Sequence, residues 1–457
     1  MGSRQSNGAL VIGLSVALIA TSGCGARTGL SVFDKAAPDC TTPPRNASAP
    51  DCDAQSTTLA GTVYDPAGKN PLYNVVVYVP GSTPAPLPSG ATCDSCSDLY
   101  TGSPVTTALT DANGRFLLSK VPPGRDVPLV FQIGKWRRQV RVPNVAACQE
   151  TSIPDGSLTL PKNQTEGDIP AIAISTGGSD TLECLFRRIG VDASEYTGDP
   201  LGAGRIHIFQ GSGNGAGTGA PTTSSSAPSS ASALWDTPAD LERFDMVVLS
   251  CEGQETGNMN QQALFDYAAA GGRVFASHFH YSWFQDGPFG DWNLATWSTG
   301  RGDIGDIDAV VTTTLPSGAP FAKGKALAQW LGNLGALLPD GELHVQAARH
   351  NADLSAANTA SQSWLDADAD ASAPGASQSF SFNTPLSAPS PSQCGQVVYT
   401  AMHVGAGSND TQGLPVPDEC AAGDLSPQEK VLEFLVFNLS SCVMPAEEMP
   451  RAPASCP

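Results

Sequence analysis

A chain of 457 residues, 40% hydrophobic and only 15% charged, is long enough for two or three domains with sizeable cores. Its net charge of −20 argues against nucleic acid as a partner, because a phosphate binder needs a clustered basic face. The one basic cluster, Lys135 to Arg141, sits inside a strand pattern and reads as a solvated strand face.

The chain starts with a targeting segment. Arg4 supplies a positive end, and the apolar run Ala9 to Ala20 is too short to span a bilayer. Thr21-Ser22-Gly23-Cys24 follows and resembles the lipobox of bacterial lipoproteins, with Thr21 where Leu is usual. That resemblance implies that Cys24 is lipidated and anchors the chain in the cell envelope, with the outer membrane as the expected location. An ordinary cleaved secretory peptide is the alternative. No later run is long enough for a spanning helix. Twelve cysteines suit an oxidising compartment. Setting Cys24 aside leaves an odd number, so one at least is unpaired in a monomer. Cys184, within an amphipathic helix, and Cys251, ending a core strand, are the expected free thiols. Cys93 and Cys96 form a CxxC without a second such pair, which reads as a loop staple rather than a redox or zinc motif.

Gly25 to Thr57 reads as a polar tether. From Thr58 the pattern has period two: Leu59 to Tyr64, Val75 to Val79, Arg115 to Leu118, Val127 to Ile133 and Gln139 to Val142 are short strands between Gly, Pro and Asp turns. They predict an all-β sandwich. Within it, GTVYDPAGKNPLYNVVVYV and TDANGRFLLSKVPPG resemble the carboxypeptidase regulatory-like domain, a transthyretin-like fold, over Thr58 to Leu160. The resemblance implies no catalytic residues, and the chain has no HExxH or HxxE motif.

The polar stretch 161–167 marks a boundary. Ile169 to Ser175 is then a buried strand, Thr176-Gly177-Gly178-Ser179 a turn, and Asp180 with Glu183 a capping box for a helix whose apolar face is Leu182, Leu185, Phe186 and Ile189. Gly177 and Gly178 are candidates to hold an anion on backbone N–H groups. After the strand Arg205 to Gln210 comes a low-complexity insertion, 211–232. Asp245 to Ser250 is a strand, Met259 to Ala268 a helix closed by Gly271-Gly272, and Arg273 to Ala276 a strand that empties into Ser277-His278-Phe279-His280. This alternation predicts a doubly wound, flavodoxin-like α/β sheet, with ligands beyond the carboxyl ends of its strands. Trp283 belongs to an aromatic loop that either stacks on a sugar or lids the sheet. Further on, Ala309 to Thr314 and Leu343 to Ala348 read as strands, Gly324 to Leu334 as a helix, and Asp366, Asp368 and Asp370 as an acidic linker. Gly395 to Val404 is the last core strand and carries His403. Ser426, Pro427 and Glu429 cap the closing helix, and 444–457 is a tail.

FDMVVLSC, GGRVFASHFH and CGQVVYTAMHV together resemble the class I glutamine amidotransferase-like fold in its trehalose-utilisation branch, over Asp168 to Val443. Members that hydrolyse glutamine carry a nucleophilic cysteine in a glycine-flanked turn. Here Ala276 to His280 stands in that place, so glutamine hydrolysis is not expected. Ser277 is an alternative nucleophile, with His403 or His280 as its base. Another alternative has His278, His280 and His403 converging on a metal, the first two sharing a face if the strand runs on. No carboxylate stands at ligand spacing beside them, so the sequence assigns no metal and no cofactor. The reading is an envelope lipoprotein with a catalytically degenerate α/β domain that binds glycan or an envelope protein, or is structural. A hydrolase or metal-dependent carbohydrate-modifying enzyme is the alternative. Its catalytic residues would be Ser277, His278 and His403, and its ligand contacts Gly177, Gly178, His280 and Trp283.

Overall fold

The computed structural model describes residues 57–93, 98–211, 228–404, 416–418, 420 and 423–455. The targeting segment with Cys24, nearly all of the tether, Cys96, most of the low-complexity insertion and Cys456 lie outside the described residues. Among the described residues no helix is long and apolar enough to cross a membrane. The structure is predominantly β, in several sheets.

Eight strands come first: β1 (Thr58–Tyr64), β2 (Val76–Pro80), β3 (Pro104–Leu109), β4 (Arg115–Ser119), β5 (Gly124–Ile133), β6 (Trp136–Val145), β7 (Glu150–Ser152) and β8 (Leu158–Thr159). One sheet has β1 paired antiparallel to β4 and parallel to β7 and β8; the other runs β3-β2-β5-β6, all antiparallel. In β4, Phe116 and Leu118 are buried while Arg115, Leu117 and Ser119 are exposed, the alternation of a strand with one wet face. The turn before it is built by Asp111, whose carboxylate accepts the N–H groups of Asn113 and Arg115, and by Gly114 at φ 68°, where a Cβ would lie 2.7 Å from the Val63 carbonyl. Leu59, Val63, Phe116 and Leu118 from one sheet share a buried cluster with Val77, Val79, Leu129 and Phe131 from the other. Facing sheets of a sandwich pack in this way.

The basic cluster is not a solvated face. Lys135 pairs with Asp245, Arg137 with Asp168 and Arg138 with Glu166, so three of its cations bind carboxylates of the segment that follows.

That segment contains β9 (Ile172–Thr176), α1 (Leu182–Arg188), β10 (Tyr196–Thr197), β11 (Ile206–Gln210), α2 (Pro238–Leu241), β12 (Met246–Leu249), α3 (Gln261–Ala269) and β13 (Arg273–Ser277). It continues with α4 (Ser282–Gln285), α5 (Gly287–Gly290), β14 (Thr296–Trp297), β15 (Asp303–Val311), α6 (Ala322–Asn333), β16 (Leu343–Arg349), β17 (Ala352–Asp353), β18 (Ser361–Ala367), β19 (Ser377–Thr384), β20 (Gly395–Thr400) and α7 (Pro427–Ser440). A ten-stranded sheet runs β10-β11-β9-β12-β13-β20-β19-β18-β15-β16. It is parallel from β10 to β20 and antiparallel from there to β16, hence mixed. Every residue of β9, β12 and β20 is buried; β12 is apolar throughout, and the other two bury Ser175, Thr176, Gln396 and Thr400 among apolar neighbours.

Three expectations need correction. Cys184 is not a free thiol: α1 turns it toward Cys420 and the two form a disulfide. Cys93 is no local staple but bonds Cys394, 301 residues away, and so joins the first segment to the start of β20. Asp366 is no linker residue. It lies in β18, where its carboxylate accepts the hydroxyls of Thr312 and Ser363. Among the described residues Cys251 is free and buried, as expected.

Candidate functional site

Parallel pairing of β9, β12, β13 and β20 brings their carboxyl ends together, and the polar side chains there face one another. Ser277, the last residue of β13, donates its hydroxyl to Asp180 Oδ2 at 2.8 Å and accepts the Cys251 N–H at 3.0 Å. The other Asp180 oxygen accepts the N–H groups of Thr181 and Val404 at 2.9 and 2.8 Å. One carboxylate thereby fastens the loop after β9 to the ends of β13 and β20. Burial pushes its pKa up to about 6 against the pull of these hydrogen bonds. No imidazole among the described residues bonds the Ser277 hydroxyl, so the arrangement holds no serine–histidine pair.

The predicted capping box of α1 is absent. Its N-cap is Thr181, without a side-chain cap, because Asp180 is engaged as above. Glu183 is buried with both carboxyl oxygens unpartnered, and desolvation raises its pKa to about 8. The glycine turn also has a packing reason. A Cβ on Gly177 would lie 2.0 Å from the Cys251 carbonyl, and that carbonyl accepts the Ser179 N–H at 3.0 Å. Gly178 is buried beside it.

Beyond Ser277 the chain leaves the strand in a 3₁₀ turn, His278–Tyr281, and His278 has φ 44°. A left-handed backbone is strained for histidine and is held only where surroundings over-determine it. It also means that His278 and His280 do not share a strand face. His278 Nε2 lies 3.0 Å from the Arg301 carbonyl. A carbonyl only accepts, so Nε2 carries the proton and Nδ1 presents a bare lone pair. Toward that lone pair come Cys251 Sγ at 3.3 Å and His403 Nε2 at 3.2 Å. All three atoms lie within 4.8 Å of one another, and all three residues are buried. His403 is held through its carbonyl, which accepts from Gln428 Nε2 at 2.8 Å, while its own Nδ1 has no partner. Burial pushes the Cys251 thiol up to about 12 and His278 down to about 3, and it also lowers His403 well below its ordinary value.

No protein-family model matches this chain. No curated protein matches it either. Among solved structures, two interface mutants of a type II cohesin–X-dockerin complex from Acetivibrio cellulolyticus match in part. The C-terminal mutant is 15% identical over 27% of this chain and 78% of that one, with a TM-score of 0.16. The N-terminal mutant is 16% identical over 30% and 85%, with a TM-score of 0.17. Superposition at that level carries no argument about this molecule.

The other predicted contacts lie to one side. His280 Nδ1 is 3.0 Å from the Ser277 carbonyl, which leaves Nε2 bare, unpartnered and 4.0 Å from Glu252 Oε1. Trp283 is fully buried, edge-on to Trp235 with ring centres 5.0 Å apart, and so belongs to the packing of the sheet face. Two imidazoles and a thiol whose ligand atoms lie within 4.8 Å of one another could hold a metal ion; the sulfur and His278 alone are also a thiol–base pair. Sequence reasoning missed Cys251 as a member, because a lone cysteine ending a core strand reads only as a buried free thiol.

Proposed function

We propose that this chain is an exported metalloprotein, tethered to the cell envelope through Cys24, whose cluster of Cys251, His278 and His403 holds a zinc or copper ion. One observation carries the metal reading: the bare Nδ1 of His278, its tautomer fixed by the Arg301 carbonyl, faces both other ligand atoms. Tetrahedral zinc with ordinary bond lengths separates two nitrogen ligands by about 3.3 Å, and a nitrogen from a sulfur by about 3.6 Å. The 3.2 and 3.3 Å found here are close to those edges. A carbonyl behind a ligating imidazole is also the usual outer support of such sites. Borderline-soft N₂S sets suit zinc and copper over calcium or magnesium. Three protein ligands leave one tetrahedral position for a small ligand, as in catalytic zinc sites.

The scaffold, on this reading, is amidotransferase-like, in the trehalose-utilisation manner, behind a carboxypeptidase regulatory-like sandwich. The parallel order β11-β9-β12-β13-β20, with chemistry gathered past its carboxyl ends, supports that assignment. The second reading, Cys251 as a nucleophile with His278 as base, rests on their 3.3 Å separation. It has against it a fully buried thiol pushed up to about 12.

Metal analysis decides between them. Purified protein should take up one zinc per chain, and cobalt in its place should show a thiolate charge-transfer band. Cys251→Ala and His403→Ala should each weaken affinity by roughly 100-fold or more. Failure to bind either ion, together with rapid alkylation of Cys251 by iodoacetamide at neutral pH, would overturn the metal reading in favour of the thiol.

A further inference from the structure

At the opposite end of the sheet from this cluster, a cavity of about 720 Å³ opens beside the first turn of α6, at the start of β20 and the end of β19. Its volume is that of a small-molecule site. Lys323 lines it and is only 4% exposed. Among the described residues its ammonium makes no hydrogen bond and no ion pair. The charged neighbour that acts on it is another cation, Arg273, and Arg273 is itself satisfied by the carbonyls of Cys394 and Ser441. Glu447 lies exposed on the cavity wall and does not pair with Lys323. Buried lysines without a counter-charge are costly, and this one sits in the first turn of a helix, where the macrodipole opposes a cation.

Two features point the same way. The N-terminus of the 12-residue α6 has Phe321 at its N-cap and no side-chain cap, so its first N–H groups remain available as donors. Gly324 lets the turn sit tight: a Cβ there would come within 2.0 Å of the Thr312 carbonyl. An uncapped helix start beside a buried, unpaired lysine offers an anion both N–H donors and a counter-charge. The rest of the lining concerns hydroxyls. Gln362, Gln393 and Gln396 each give one amide N–H, to the carbonyls of Ser363 and Pro385 and to Asn383 Oδ1, and keep their carbonyl oxygens as acceptors for hydroxyls. Trp292, the one tryptophan on the wall with substantial exposure (36%), offers a flat face.

We propose that this cavity binds an acidic saccharide, with Lys323 and the start of α6 taking the carboxylate, the glutamine oxygens taking hydroxyls, and Trp292 taking the ring. The phosphate dianion has a single hydroxyl to give those oxygens and no ring to lay on Trp292, so it fits less of the site. This site is independent of the metal cluster and does not depend on it. Burial and Arg273 hold the Lys323 pKa down to about 8, and a bound carboxylate would relieve that strain on the charge.

Calorimetric titration of the mature protein with D-glucuronate, D-glucose and inorganic phosphate tests the assignment. Glucuronate should bind, with glucose at least about tenfold weaker. Lys323→Met should weaken glucuronate roughly 10- to 100-fold, the range for a charge-assisted hydrogen bond, while its thermal midpoint holds or rises. Trp292→Ala, at a half-exposed position that folding tolerates, should weaken it several-fold. Three results overturn the proposal: no glucuronate binding by the wild type, unchanged affinity in Lys323→Met, or phosphate binding as tightly as glucuronate.

Discussion

Glu183 shows what a single buried group does to the whole chain. It lies in α1 with both carboxyl oxygens unpartnered, and burial raises its pKa from an ordinary 4.5 to about 8. An acid whose folded pKa is raised contributes its full stability below the unfolded value and loses it as pH climbs through the folded one. The window is therefore about pH 4.5 to 8, with stability falling upward through it. Glu183→Gln keeps the shape and removes the charge. It should flatten that decline and stabilise the protein at pH 8 by on the order of a few kcal/mol. Urea midpoints at pH 5 and 8.5, compared between variant and wild type, measure it; Asp65 and Asp180, also raised, set the common background. Parallel declines in both proteins would clear Glu183 of the role. The residue scale is also where the sequence was least legible. Asp180 and Glu183 have capping-box spacing, but spacing says nothing of Ser277 and Val404, which claim the Asp180 carboxylate from across the sheet.

Elements with punctuation in the sequence were legible, and those defined by tertiary partners were not. Ser426, Pro427 and Glu429 announce α7, and the capping box is formed as read: the Ser426 hydroxyl accepts the Glu429 N–H and the Glu429 carboxylate accepts the Ser426 N–H. Gly271, at φ 103°, ends the stretch of α3 where a glycine pair marked it. β19 had no such signal. SQSFSFNT is polar in alternate positions, yet it is almost wholly buried, because Ser379 bonds the Tyr399 carbonyl and Ser381 accepts from Trp364 Nε1. Likewise α1 was read correctly as a helix, but nothing local shows that Glu183 and Cys184, off its apolar stripe, are buried too, or that Cys184 faces Cys420, 236 residues on. That crosslink ties α1 to the segment entering α7. Closing so long a loop restricts the unfolded chain strongly, by about 3 to 5 kcal/mol in the entropic account. The double variant Cys184→Ala, Cys420→Ala should lose stability of that order in denaturant titration. A change under about 1 kcal/mol would show that the bond constrains nothing the fold does not already hold.

The polar stretch 161–167 divides the sequence but not the packing. α7 reaches across it: Phe437 meets Trp136 of β6 edge-on at 5.8 Å between ring centres, and Phe434 stacks on Tyr73 at 5.9 Å. Asn70 donates to Glu433 at 2.6 Å, Trp330 of α6 bonds the Pro71 carbonyl, and Lys135 pairs with Asp245 where both are mostly buried. The buried cluster of the first eight strands runs without interruption into α6 and α7. Separate domains would open at a linker, since interfaces between them are small and more polar than this. Here the interface is core. The whole chain should therefore unfold as one unit, with tryptophan fluorescence and far-ultraviolet circular dichroism tracing coincident curves. Phe437→Ala removes a buried ring from the shared region, and its cost, about 3 to 5 kcal/mol, should move the single transition as a whole. Two resolved transitions in the wild type, only one of them shifted by Phe437→Ala, would mean that the sandwich and the large sheet stand independently and that α7 belongs to just one of them.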